Sequence, residues 1–326
     1  MQQLDVLSVG DIILDIFLGI PQDNFFSCLD EKNHQICFRY GQKIHVDTYK
    51  ELLGGNACNV AVGLSRIGKK TELAVEIGDD DFTHHVLHLL DKEHVAKNYM
   101  IQTPDTQASF AVGVNYGKER TLFIHHVKRH HDFHFEDANP SWIYLTSMGD
   151  EWEKPYRTIV ALAEKSGAKL AFSPGTHQLE AGFVKLQTVV KASYMVFVNK
   201  EEAELLTDQK GADIKTLLTT IKSFGPKLVS ITDGTDGAYA IDANGMMFHI
   251  GIFPNTIIEK TGAGDAYSAG VIGALIDGHA LDEAMRWGAL NASSVVAHIG
   301  AQEGLLPGYS IENTLFAHPE FVAKAL

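Results

Sequence analysis

Cysteine is scarce in this chain, with three residues, Cys28, Cys37 and Cys58, among 326. An odd, small number of cysteines without CxxC spacing argues against a disulfide framework and against a zinc knuckle. We therefore expect reduced thiols and a cytoplasmic location. A GxxxxGKS/T element is also absent, which excludes a Walker-type phosphate-binding loop.

Long apolar runs and an excess of basic charge are missing as well. The apolar N-terminal stretch is interrupted by Asp5, Asp11 and Asp15, whereas a membrane helix needs about 20 apolar residues and a secretion signal needs a basic start. The 27 lysines and arginines face 41 aspartates and glutamates, which gives a net charge of −14. An acidic protein repels phosphate backbones and anionic membranes, so we expect neither a nucleic-acid nor a membrane partner.

Strand-like and helix-like patterns alternate along most of the chain. Short apolar runs such as Leu4–Val9 and Leu73–Ile77 indicate buried strands, and stretches such as 56–67 and 179–190 have helical spacing. This alternation predicts an α/β fold with a central, mostly parallel sheet and helices on both faces. Residues 237–250 predict a hairpin at one edge of that sheet.

Two stretches, about 12–50 and 106–128, do not follow the alternation. In the second, Ser109–Val114 and Thr121–His126 flank a turn at Tyr116-Gly117-Lys118, which is typical of a hairpin. We infer a small β-sheet, built from both stretches, that covers the α/β core as a lid and excludes water from a site. The whole chain, 1–326, is then expected to form a single domain.

A glycine pair, Gly54-Gly55, precedes the predicted helix at 56–67. Glycines at a helix start let the backbone approach a ligand closely. Asn56 and Asn59 lie about one turn apart, and their amide groups suit the recognition of hydroxyls. On these residues alone, a tight turn with an Asn helix cap is an equally good interpretation.

The stretch Thr261-Gly262-Ala263-Gly264-Asp265 is the most informative in the sequence. Gly-Ala-Gly at a helix start exposes consecutive amides that bind anions. A carboxylate beside them is placed to take a proton from an attacking hydroxyl, and the pair of features suits phosphoryl transfer. A lone aspartate at this position would more often serve only the helix dipole.

Together, these two segments resemble the PfkB/ribokinase family of carbohydrate kinases. The stretch from Gly54 to Gly68 is similar to the first signature of that family, and Thr261–Tyr267 is similar to the second. The stretch Asn199-Lys200-Glu201-Glu202 resembles its NxxE motif. The turn from Thr232 to Gly237 resembles its nucleotide-binding turn. The motifs occur in the family's order over nearly the whole chain.

The resemblance implies a ribokinase-like fold and an ATP-dependent transfer of the γ-phosphate to a hydroxyl of a sugar or sugar-like substrate. Asp265 is then expected to be the base, with an anion hole formed by the amides of Gly262, Ala263 and Gly264. The residues expected to bind the substrate are Asp15, Gly55, Asn56 and Asn59. The residues expected to contact ATP are Asn199, Thr232, Gly234, Gly237 and Asn291. Glu202 is expected to organise Mg²⁺.

The sequence departs from the family pattern at two positions. Glu259 stands where the second signature usually begins with Asp, which leaves open whether a monovalent cation is needed. Ser173-Pro174-Gly175 replaces an Asp-x-Asn segment, so the polar contacts near the phosphates are open there.

Several alternatives remain at this stage. A nucleoside kinase of the same family and a catalytically silent binding protein are the two rival functions. A free sugar, a sugar acid and a nucleoside are all candidate substrates, and Arg129 facing the site would favour an acid or a sugar phosphate. The histidine-rich segment 125–134 has no assigned role. A homodimer formed through the lid is a further expectation of the resemblance.

Overall fold

The structure of the protein is a computed structural model that describes residues 4–30, 32–33, 35–117 and 119–326. Its strands, in chain order, are β1 (Leu4–Val9), β2 (Ile13–Ile20), β3 (Ser27–Asp30), β4 (Gln35–Phe38), β5 (Thr48–Gly54), β6 (Thr71–Ala74), β7 (Glu76–Ile77), β8 (Ile101–Gln102), β9 (Phe110–Tyr116), β10 (Glu119–His125), β11 (Pro140–Leu145), β12 (Lys169–Phe172), β13 (Met195–Asn199), β14 (Leu228–Thr232), β15 (Ala238–Ile241), β16 (Met247–Ile250) and β17 (Lys324–Ala325).

The helices alternate with these strands over the core of the chain. In chain order they are α1 (Asn56–Ile67), α2 (Asp81–Lys92), α3 (Glu153–Ser166), α4 (Thr176–Glu180), α5 (Phe183–Ala192), α6 (Lys200–Thr207), α7 (Ile214–Ser223), α8 (Ala263–Ile276), α9 (Leu281–Val295) and α10 (Gly308–Ala317). No helix among the residues just named is long and apolar enough to span a bilayer.

A nine-stranded sheet forms the centre, in the order β17-β16-β15-β14-β13-β12-β11-β1-β6. The strands from β6 to β14 in this order pair in parallel, and β15, β16 and β17 add an antiparallel edge. The predicted mostly parallel sheet and its edge hairpin are therefore confirmed.

Helices cover both faces of this sheet. Successive residues of a strand point to opposite faces, and in β11 Ile143 and Leu145 pack with α3, α5, α6 and α7, whereas Trp142 and Tyr144 pack with α1, α8, α9 and α10. Helices α8 and α9 approach closely, because a Cβ on Gly270 would lie 2.8 Å from the backbone of Gly288. The predicted helices on both faces are confirmed.

The two stretches outside the alternation meet in a four-stranded sheet, in the order β10-β9-β2-β5. We call these strands the small sheet. Strands β9 and β10 pair antiparallel, as the predicted hairpin requires, although Lys118 in its turn lies outside the described residues. The pairing of β2 with β9 is parallel, so the small sheet is mixed.

Three predicted element bounds were wrong. The run Leu73–Ile77 is divided, because the chain leaves the main sheet after β6 and β7 pairs instead with β8. The single helix expected at 179–190 is two helices, α4 and α5, separated at Gly182, whose φ of 90° begins a new helix. Strand β17 comes from a segment for which the sequence predicted no strand.

Candidate active site

A polar cavity of about 430 Å³ opens where the strands β12 to β14 end and where α1, α6 and α8 begin. Ligands of open α/β sheets bind at the carboxyl ends of the strands. The residues that line this cavity and that the sequence had singled out are Asn56, Ser173, Asn199, Glu202, Thr232, Gly262, Ala263, Gly264 and Asp265. The structure thus brings both glycine motifs and the NxxE motif to one place.

The N-terminus of α8 is open toward this cavity. Gly262 is the N-cap residue with φ 79°, and no side chain caps the helix. A Cβ on Gly262 would lie 2.4 Å from the Cβ of Ala301, so only glycine fits there. A Cβ on Gly264, in contrast, meets nothing within 4 Å. The space over Gly264 is therefore open, but the amide of Ala263 donates to the carbonyl oxygen of Lys260 at 3.3 Å. The helix dipole favours an anion in front of this helix end.

Asp265 lies in the first turn of α8, beside these amides. Its Oδ2 accepts a hydrogen bond of 2.8 Å from Nδ2 of Asn59, and Oδ1 of Asn59 accepts one of 2.8 Å from Nε2 of Gln302. Burial raises the pKa of Asp265 to about 7, although the bond from Asn59 lowers it, and the nearby charge of Glu202 raises it further. A carboxylate with such a pKa can accept a proton near neutral pH.

The NxxE motif forms a capping box at the start of α6. Oδ1 of Asn199 accepts from the amide of Glu202 at 2.9 Å, and Oε2 of Glu202 accepts from the amide of Asn199 at 2.8 Å. These two bonds are typical of a helix start, so they account for the motif without any ligand. Both residues also line the polar cavity, and burial raises the pKa of Glu202.

A second cavity of about 280 Å³ adjoins the first and has a more apolar wall. Thr232, Gly234 and Gly237 line it, together with apolar side chains that include Phe253 and Val296. The residues that line both cavities are Thr232, Lys260, Ala263, Gly264 and Tyr267. The start of α8 therefore lies between an apolar chamber and a polar one.

The start of α1 is built differently from that of α8. Gly55 is the N-cap residue with φ 91°, and a Cβ there would lie 2.5 Å from the carbonyl oxygen of Asp11. Gly55 thus serves a close backbone contact and lines neither cavity. Asn56, one position on, lines the polar cavity. The interpretation of Asn56 as a helix cap was wrong, because Gly55 occupies that position without a side-chain bond.

Asp15 and Asn59 line neither of the two cavities. Asp15 lies against Gly54, where a Cβ would come within 2.3 Å of its Oδ2. Burial raises the pKa of Asp15 to about 6, and the guanidinium of Arg120 lowers it. Asn59 is 4% exposed and is engaged at both ends of its amide. Asn59 therefore reaches the site only through Asp265.

Asn291 is not brought to either cavity. Its side chain is fully buried; Nδ2 donates to the carbonyl of Ala266 at 2.8 Å, and Oδ1 accepts from the amide of Leu306 at 2.9 Å. These bonds tie α9 to α8, so the direct contact with ATP that was expected for Asn291 is corrected to a structural bond. Neighbours on α9, Ala292 and Ser293, line the apolar cavity instead.

Two residues of the site escaped the sequence reasoning. Lys260 lines both cavities and adds a positive charge beside the start of α8; its place immediately before the Thr261–Asp265 motif was the available signal. Gln302 fixes the amide of Asn59, and no sequence pattern marks it.

In the histidine-rich segment 125–134, one histidine, His131, is buried, and the other four are exposed. His131 is 2% exposed, its amide donates to Glu76 at 2.6 Å, and burial lowers the pKa of His131 to about 4. Arg129 is 6% exposed and donates to Oγ1 of Thr106 at 2.7 Å. Within the described ranges, no group of three or more His, Cys, Asp or Glu side chains could hold a metal ion.

Comparisons with known proteins show the family of this chain. The family model for pfkB family carbohydrate kinases matches residues 23–307. A 5-dehydro-2-deoxygluconokinase of Lacticaseibacillus casei is 22% identical over 278 residues, which cover 79% of this chain and 84% of that relative. An ATP-dependent 6-phosphofructokinase of Thermoanaerobacterium thermosaccharolyticum is 22% identical over 316 residues, which cover 92% of this chain and 90% of that relative.

A solved structure has the same fold. The nucleoside kinase of Methanocaldococcus jannaschii, an archaeal member of the ribokinase family, matches with a TM-score of 0.74 at 20% identity, over 96% of this chain and 98% of its own. The fold is therefore ribokinase-like, as the motifs had implied. Because the family model covers most of the chain, the protein belongs to the pfkB family of carbohydrate kinases.

Proposed function

We propose that this kinase transfers the γ-phosphate of ATP to a hydroxyl of a sugar, with Asp265 as the base and the first amides of α8 as the anion hole. The observation that carries the proposal is the position of Asp265. Its carboxyl lines the polar cavity, next to Gly264, which has open space over it and lines both that cavity and the apolar one. Phosphoryl transfer requires this combination of a proton acceptor and preorganised donors.

Asn59 and Gln302 would orient the base. The amide of Asn59 holds one oxygen of Asp265, which leaves the other free to take the proton of the attacking hydroxyl. Since Gln302 fixes the amide of Asn59 in turn, the donor cannot rotate away without losing a bond. Asn56, on the wall of the same cavity, would donate to or accept from the sugar hydroxyls.

The apolar cavity would take the adenosine part of ATP, because its wall is mostly apolar and it opens at Ala263 and Gly264. Lys260 is placed to attract the phosphates. Glu202 and Asn199 fit a hydrated Mg²⁺, since one oxygen of Glu202 is left over from the capping box and magnesium keeps most of its water when bound. When bound, Mg²⁺ would neutralise phosphate charge.

The position of Arg129, which lines neither cavity, favours a neutral sugar. Arg129 is buried and donates to Thr106, so it does not offer a free guanidinium to a carboxylate or a phosphate. The two curated relatives are named as kinases of a sugar acid and of a sugar phosphate. We propose that this chain differs from both in preferring an uncharged sugar.

Release of ADP over a panel of neutral sugars, sugar acids, sugar phosphates and nucleosides tests the function. We expect the highest kcat/KM with a neutral sugar. A higher kcat/KM with a nucleoside would establish the rival nucleoside kinase, and one with an acid would overturn the substrate proposal alone. ATP binding without ADP release on any of them would establish a silent binding protein.

We also propose that two copies pair through the small sheet. Its edge strand β10 exposes Leu122, Phe123 and Ile124, at 44%, 57% and 57%, and an exposed apolar edge strand is a template for pairing. Sedimentation should report a dimer, and Phe123→Glu should give a monomer. A wild-type monomer at micromolar concentration would contradict this.

A further inference from the structure

A buried ion pair joins the small sheet to the loop before α8. The guanidinium of Arg120, on β10, contacts Oε1 of Glu259, and the two side chains are 19% and 10% exposed. Nε of Arg120 donates to Asn115 at 2.6 Å, and its guanidinium carbon lies 4.4 Å from the ring centre of Phe17. Arg120 is therefore held by Asn115 and Phe17 of the small sheet, and its guanidinium also interacts with the carboxylate of Asp15, on β2.

The side chain of Glu259 is one anchor of a largely exposed loop, which is also held at the end of α9, where the amides of Ile258 and Glu259 donate to the carbonyl oxygen of Val296. Among residues 251–261, only Phe253 and Glu259 are partly buried. Oε2 of Glu259 accepts from the amide of Gly300 at 2.8 Å. The next residue, Ala301, is the one that packs against Gly262 at the start of α8. The carboxylate thus fixes the segment that lies beneath the anion-binding amides.

The same segment reaches the proposed base by a second route. Gln302, two positions after Gly300, donates to Asn59, which donates to Asp265. Residues 300–302 therefore support both halves of the site, the open amides and the carboxylate. A continuous set of contacts runs from Arg120 on the small sheet to Asp265.

A second ion pair from the small sheet offers a matched comparison. Nζ of Lys50, on β5, lies 3.1 Å from Glu303, but the side chains are 46% and 39% exposed. Exposed pairs contribute little, whereas removing one partner of a buried pair leaves a charge without solvent or counterion. The Arg120 pair is bonded to Gly300 through Glu259, and the Lys50 pair ends three residues later, at Glu303. The two pairs differ mainly in burial.

We propose that Arg120 is a positioning residue for phosphoryl transfer, which acts by pairing with Glu259 and so holding the segment 300–302 under α8 and behind Asn59. The site is then complete only when the small sheet is in contact with the loop 251–261, through Glu259. The inference rests on the proposed function for its kinetic consequences, but the contacts themselves do not depend on it.

Replacement of Arg120 tests the proposal by kinetics. Arg120→Ala should lower kcat by about 10- to 100-fold, because small displacements of catalytic groups have effects of this size. The KM for ATP should rise as well, because the loop that contains Glu259 lines the apolar cavity, so the fall in kcat is the result that tests the positioning role. Free guanidinium, well below the concentration that unfolds the wild type, should restore part of kcat in Arg120→Ala. The control, Lys50→Ala, should keep the wild-type kcat and should gain nothing from guanidinium.

A wild-type kcat in Arg120→Ala, or a loss that guanidinium does not reverse in a folded variant, would overturn the proposal. If Arg120→Ala does not fold, Glu259→Gln removes the charge from the other partner and keeps an oxygen for Gly300. It should lower kcat in the same direction, and an unchanged kcat would count against the pair.

Amide hydrogen exchange separates this proposal from the proposed function. The amides of Gly300 and Ala266, which donate to Glu259 and to the carbonyl of Gly262, should exchange faster in Arg120→Ala than in the wild type, and Lys50→Ala should leave them unchanged. Equal exchange in all three proteins would overturn the positioning role. If the wild type phosphorylates no alcohol, the proposed function is wrong. The exchange result would still decide whether Arg120 holds the segment 300–302.

Discussion

The two glycine-led helices, α1 and α8, begin alike in sequence and differ in what their first residues face. Both have a glycine N-cap with positive φ, 91° at Gly55 and 79° at Gly262, and neither has a side-chain cap. The N-cap glycine closes a protein contact in both helices, with the backbone of Asp11 at α1 and with Ala301 at α8. Only α8 has a further glycine in its first turn, Gly264, and the space over it is open.

The two helices also differ in whether the first turn carries an acidic residue. Helix α1 has no acidic residue there, while α8 has Asp265. The two helices are joined by the bond from Asn59 to Asp265, across 206 positions of sequence. We infer that α1 supplies support and substrate contacts and that α8 supplies the chemistry. The following predictions test that division.

Replacement of the acid at α8 should have the largest effect. Asp265→Asn removes the proton acceptor with little change in shape and should lower kcat by roughly a thousandfold, within the range of general-base contributions. ATP binding, measured by calorimetry, should persist. As a control, Asn56→Ala on α1 should mainly raise the KM for the sugar. A near wild-type kcat in Asp265→Asn would contradict the inference that α8 supplies the chemistry.

Alanine at the two glycines should separate folding from activity. Gly55→Ala places a Cβ 2.5 Å from a carbonyl oxygen at positive φ and should cost about 1–3 kcal/mol of unfolding free energy. Gly264→Ala meets no atom within 4 Å and should keep or slightly raise the melting temperature, while kcat/KM for ATP falls by about tenfold or more. Denaturant unfolding measures the loss of stability, and steady-state kinetics measure the loss of activity. A stability loss in Gly264→Ala with an activity loss alone in Gly55→Ala would contradict the comparison.

The pH profile should report the carboxyl of Asp265. Its pKa is raised to about 7, chiefly by burial, and the base works only when ionised, so kcat/KM should rise with pH and level off above about pH 7. Below that value the rate should fall about tenfold per pH unit. Because the bond from Asn59 lowers this pKa, Asn59→Ala should shift the midpoint to higher pH. A midpoint that does not move between the two proteins would argue against Asp265 as the titrating group.

Replacement of potassium should have the smallest effect. The carboxylate of Glu259 already has a cation, the guanidinium of Arg120, so kcat should be the same in potassium and in tetramethylammonium chloride at equal ionic strength. Arg120→Ala is the matched variant, and there potassium should raise kcat. Strong activation of the wild type by potassium would contradict this account of Glu259.

Much of this comparison could be read from sequence, because it depends on local patterns. The glycine motifs, the helices that follow them and the alternation of strands are properties of neighbouring residues. The roles of single side chains were harder to predict. Ten of the 15 residues of α9 are buried, so periodicity did not show that Asn291 points away from the cavity.

Contacts between segments that lie far apart in the sequence could not be predicted from it. Gln302 lies 243 positions from Asn59, to which it donates, and it stands in a segment with no helical or strand pattern. The pair of Arg120 and Glu259 joins a strand of the small sheet to an irregular loop. Such contacts depend on how the small sheet docks, and neither composition nor spacing encodes that.

Amide NMR of the wild type with a nonhydrolysable ATP analogue and Mg²⁺, without sugar, measures where the terminal phosphate sits. The ¹H–¹⁵N resonances of Gly264 and Asp265 should shift strongly, whereas those of Gly54 and Gly55 should hardly move. Large shifts at the start of α1 with none at the start of α8 would contradict the assignment of the phosphate to the open amides.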